Sequence, residues 1–101
     1  MGFVIEKVLA VSKTPWQGPV CTQTAIGPST GDVTLIGGYV KGDTYMGYQW
    51  EADNDEGDNL ASGPALSQQD AQTKACNWAK ANGFTQGIDP HQFRCEFIEP
   101  K

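Results

Sequence analysis

Five of the twelve acidic residues of this 101-residue chain, Glu51, Asp53, Asp55, Glu56 and Asp58, fall within eight positions. So dense a cluster can bind calcium, share protons between carboxyls, or present a negative patch to a basic partner. A calcium loop of the EF-hand kind needs Gly at position six and Glu at position twelve. Counted from Asp53, Gly57 falls at five and Pro64 at twelve, so that spacing fails. The intervening Asn54, Gly57 and Asn59 are residues that a solvated hairpin tip uses. The acidic run is therefore expected to be a turn whose five carboxylates can face a basic partner.

Other chemistry is weaker still. Gly27-Pro28-Ser29-Thr30-Gly31 matches the G-x-S-x-G pattern of a nucleophile elbow. That motif needs a strand before the Ser, a helix after it, and a His and an acid later. Here a strand-like segment follows, so the sequence reads as a tight turn. Cys21, Cys76, Cys95 and His91 have the atoms for a Cys3His zinc site, and His91-x3-Cys95 is an acceptable spacing. No two-Cys knuckle accompanies it, and Cys95 alternates with Phe93 and Phe97 as a core residue would. Three cysteines with no close pair read as reduced thiols, which places the protein in the cytoplasm. No catalytic set can be argued from spacing, so the chain is expected to be no enzyme and to need no cofactor or metal.

A second group of residues suits stacking. Trp16 sits in Pro15-Trp16-Gln17-Gly18, off any periodic face, and Tyr39, Tyr45 and Trp50 add further rings. Gly37-Gly38 and Gly42 are places where a backbone amide can approach a phosphate. These residues define an alternative site for a nucleotide-like small ligand.

The elements that must position these groups follow from patterning. Ser67 before Gln68-Gln69-Asp70 puts a hydroxyl at N-cap and an acid at N3. Ala71, Ala75, Trp78, Ala79 and Asn82 then recur on one helical face, and Gly83 stands at the C′ position. The spacing predicts a helix from Ser67 to Asn82 with its Trp as anchor. Val33–Val40 and Tyr45–Ala52 flank a short Gly-containing link and predict a β-hairpin. A short strand after the acidic turn, a last strand over Gln92–Ile98 and an apolar first strand over Phe3–Ser12 complete the set. Thr14–Asp32 is rich in Pro and Gly and reads as a long loop holding, at most, a short edge strand over Pro19–Ile26.

These elements predict one α+β domain over residues 1–101, a mostly antiparallel sheet of about five strands with one capped amphipathic helix on one face. Branched aliphatics and Phe number only 19, so the ten aromatics must carry much of the core. The Met1–Lys7 start does not read as a signal peptide, and no window is long enough to span a membrane. A net charge of −5 with seven scattered basic residues argues against direct nucleic-acid binding.

The function expected first is therefore a small non-enzymatic protein that occupies a partner macromolecule's surface. The profile is that of phage or mobile-element accessory proteins that inhibit host defence factors, with the five acids competing for a site built to hold nucleic acid. The partner expected is a nucleic-acid-binding host protein. One helix covers one sheet face only, so pairing into a homodimer or higher oligomer is expected to cover the other.

Overall fold

The computed structural model describes residues 14–27 and 31–98. The strand expected over Phe3–Ser12 lies outside the described residues. The elements run β1 (Trp16–Gly27), β2 (Gly31–Lys41), β3 (Met46–Asn54), β4 (Asn59–Ala65), α1 (Gln68–Ala81) and β5 (Arg94–Ile98). They form an antiparallel sheet in the order β4-β3-β2-β1-β5, with α1 packed across it, which is the expected α+β architecture. Among the described residues no helix is long and apolar enough to cross a membrane.

The helix forms where its capping residues require. Ser67 accepts from the Asp70 amide at 3.1 Å, Asp70 in turn accepts from the Leu66 amide, and Gly83 takes a φ of +91° just past the C-cap. Its buried face is Ala71, Gln72, Ala75, Cys76 and Ala79. Small side chains let the helix lie close on Val33, Leu35 and Ala52. Trp78 is not the central anchor. It is only partly buried and stacks on Phe84, with ring centres 5.7 Å apart.

The Pro/Gly-rich segment expected to be a loop is instead the twelve-residue strand β1. It is central in the sheet, between β2 and β5, rather than at an edge. Its breakers sit where a strand tolerates them. Gly18, at φ +68°, and Pro19 occupy the bulge between Gln17 and Val20, where pairing with β2 changes register. Gly27 pairs with Gly31 at the far end, so the G-x-S-x-G segment links two antiparallel strands and has no helix behind it.

The Gly37-Gly38 pair fixes how the layers meet. A Cβ on Gly37 would lie 3.1 Å from the Ala71 Cβ of the helix, and one on Gly38 would lie 3.1 Å from the Trp16 ring on the other face. Trp16, Val20, Ile36 and Val40 form a second buried cluster on the side away from α1. The far face thus buries side chains of its own.

Two cysteines are not free. Cys21 and Cys95 lie opposite each other in the β1–β5 ladder and are joined by a disulfide, while Cys76 alone is a buried thiol. The argument from three reduced thiols to a reducing compartment, and the Cys3His zinc site, therefore do not hold for this chain. Phe97 is also not a core residue, being 58 % exposed on the edge strand.

Two outcomes follow from this packing. Gly37→Val is expected to lower unfolding free energy by about 1–3 kcal/mol, because backbone and Ala71 leave no room for it, measured by denaturant titration. The disulfide closes a separation of 74 residues. By loop-closure entropy its removal in a Cys21→Ser/Cys95→Ser variant is expected to cost about 4 kcal/mol. Amide exchange in residues 94–98, which among the described strands pair with β1 alone, is expected to rise most.

Candidate functional site

The structure divides the five acids. Glu51 and Asp53 alternate onto the face of β3 away from the helix, where both are buried, and Asp53 is 0 % exposed. Asp55, Glu56 and Asp58 stay exposed in the turn to β4. The turn itself is organised by Asn54, whose Oδ1 accepts from the amides of Glu56 (3.0 Å) and Asp58 (2.8 Å).

Neutral donors reach both buried carboxyls. Thr14 Oγ1 donates to Glu51 Oε1 at 2.7 Å. Asn59 Nδ2 lies 3.2 Å from Glu51 Oε2 and 3.0 Å from both Asp53 Oδ1 and the Ala61 carbonyl. Among the described residues, Asp53 Oδ2 is buried with no hydrogen-bond partner. Burial, above all, pushes the Asp53 carboxyl up to about 7; the Asn59 bond pulls it down and the nearby Glu51 raises it further. Asp53 is thus a proton-holding core residue rather than a surface charge offered to a partner.

The four rings expected to bind a ligand also separate. Trp16 is 3 % exposed and packs on Gly38, so it belongs to the far-side core. Trp50 faces the helix side, and its Nε1 would stand 2.8 Å from a Cβ on Gly63. Tyr45, at the hairpin tip, folds back over Gly47 and donates to the Tyr48 carbonyl at 2.7 Å. Tyr39 lines an open cleft.

That cleft is lined by Gln17, Gly18, Pro19, Tyr39, Tyr48 and Phe97, with a volume of about 310 Å³. The register brings them together. Tyr39 pairs with both Gln17 and Tyr48, and Phe97 pairs with Pro19. Tyr39 lies two residues beyond Gly37 on the same face, so the cleft opens on the helix side of the sheet, just past the start of α1. The Tyr39 and Tyr48 rings stand 5.4 Å apart at 79°, two faces nearly at right angles. None of the lining residues carries a charge.

Tyr48 and Phe97 were not singled out by sequence reasoning. The available signal was the hairpin register. Lys41 pairs with Met46, which puts Tyr39 opposite Tyr48, whereas a link ending at Thr44 pairs Val40 with Tyr45. The cleft and the acidic turn are separate places. Tyr48 and Asp55 are seven positions apart along β3 and its turn, roughly 23 Å at ~3.3 Å per residue.

Burial pushes the Cys76 thiol up to about 11, which disfavours the thiolate that a nucleophile needs. Gln23 caps this region of β1, exchanging hydrogen bonds of 2.9 Å with the Asp89 backbone and so tying the segment after α1 to the sheet.

The buried carboxyl gives a pH test. Between the ordinary Asp value of 3.8 and about 7, the folded protein keeps a proton that the unfolded chain has released. Asp53 therefore lowers stability as pH rises through that window, down to a plateau above it. Melting temperatures at pH 5 and 8 are expected to show wild type losing stability at the higher pH and Asp53→Asn losing less. Compared with known proteins, the chain matches no family model, no curated protein and no solved structure.

Proposed function

We propose that this protein is a non-enzymatic binding protein that occupies the surface of a partner macromolecule, with the aromatic cleft as its contact. The observation that carries this reading is the placement of Tyr39, Tyr48 and Phe97 together on an uncovered end of the sheet. A chain with so few branched aliphatics has reason to bury every ring it can, yet Phe97 stays open on β5. Clustered aromatics beside a polar amide, here Gln17, are the usual composition of an interface hot spot. The exposed Asp55, Glu56 and Asp58 supply long-range attraction to a basic partner, such as a nucleic-acid-binding host protein, and act on association rate more than on affinity.

A small-molecule ligand is the second reading, supported by a cleft volume at the lower end of the range for ligand sites. The nucleotide-like version has less support, because no cation lines the cleft and the chain carries a net charge of −5.

The test compares partner capture by two folded triple variants. Tyr39→Ala/Tyr48→Ala/Phe97→Ala is expected to lose the partner that wild type retains, with losses of ~2 kcal/mol or more at the central ring. Asp55→Asn/Glu56→Gln/Asp58→Asn is expected to keep it, with a slower association rate that depends less on salt. Undiminished capture by the aromatic variant would overturn the reading.

A further inference from the structure

We propose that the aromatic cleft takes a cationic side chain, arginine or lysine, presented by the partner. This rests on the cleft being the binding surface and adds the chemistry of what enters it. Three observations point the same way.

The lining is made of aromatic rings and neutral polar groups, with Tyr39, Tyr48 and Phe97 among them. The face of such a ring has a negative quadrupole, and a cation above it is attracted electrostatically. The near-perpendicular arrangement of Tyr39 and Tyr48, with ring centres 5.4 Å apart, gives a cation two differently oriented ring systems rather than one flat platform. Phe97 on β5 adds a third ring to the lining, paired with Pro19 in the β1–β5 ladder.

The remaining groups include acceptors for a cationic donor. Pro19 has no N–H to offer, and the bulge at Gln17–Val20 interrupts the ladder with β2 at this point. Gln17 and the tyrosine hydroxyls can accept from guanidinium or ammonium donors. An anionic ligand finds no lysine or arginine in the lining.

The field of the protein has the matching sign. With a net charge of −5, the chain attracts cations and repels phosphates. None of the described basic side chains lines the cleft, and Arg94, three positions from Phe97 on β5, alternates onto the opposite face.

The test is a titration followed by the ring resonances of Tyr39, Tyr48 and Phe97 in the free protein. The probes are the tripeptide Gly-Arg-Gly blocked at both ends, its isosteric citrulline and leucine counterparts, and adenosine monophosphate. Arginine is expected to shift all three rings saturably and to bind about two- to five-fold more tightly than citrulline, the ratio for an exposed cation–π contact. Tyr39→Phe is expected to retain that preference, because the ring face remains, whereas Tyr39→Leu is expected to abolish it. Equal binding of arginine and citrulline, a preference for leucine or the nucleotide, or no saturable shift with any probe would each overturn the cationic assignment. Those outcomes leave the binding reading to the capture experiment, which can succeed with a neutral side chain in the cleft.

Discussion

The close approach of three layers at Gly37 and Gly38 governs most of what surrounds it. Hydrogen atoms in place of Cβ let Ala71 settle on one face of β2 and the Trp16 indole on the other, each at about the limit of ordinary contact. Because α1 meets the sheet there with its first turn, Gln68 can donate to the Gly37 carbonyl at 2.9 Å. The helix then runs away from Tyr39 and Tyr48, which remain beyond its start. The uncovered aromatic cleft is thus a consequence of where the helix can touch down.

The sheet also explains why an acidic stretch can serve two ends. Alternation along β3 sends Glu51 and Asp53 to the side away from the helix, where Asn59 bridges them, and only the three acids past Asn54 reach water as a group. Burying a carboxyl without a full set of donors is costly, and at Asp53 that cost appears as a carboxyl pushed up to about 7. Electrostatic attraction and core chemistry are therefore assigned to neighbouring residues of a single run.

Local signals were readable wherever they agreed with the packing. Ser67, Asp70 and Gly83 mark α1 to within a residue, and the β2–β3 hairpin is evident from its alternation. β1 was hidden because Gly18, Pro19 and Gly27, between Pro15 and Pro28, look like loop residues until the bulge that accommodates Gly18 and Pro19 is seen. The Cys21–Cys95 bond was equally invisible, since it depends on β5 returning to the outer edge of β1, a pairing across 74 residues. Trp16 misled in the opposite sense: a ring outside any periodic run proved to be core because Gly38 makes room for it. The cleft needed the hairpin register, and a slip of one pairing removes Tyr48 from it.

The central claim is that the packing at Gly37-Gly38 hides Trp16 and leaves the three rings of the cleft accessible. Hydroxyl-radical footprinting of the free protein tests it directly, because an indole is intrinsically more reactive than a phenyl ring and burial must reverse that order. The account predicts that Phe97, Tyr39 and Tyr48 are oxidised ahead of Trp16. Oxidation of Trp16 at the rate of an unprotected indole, with the three rings protected, would contradict it.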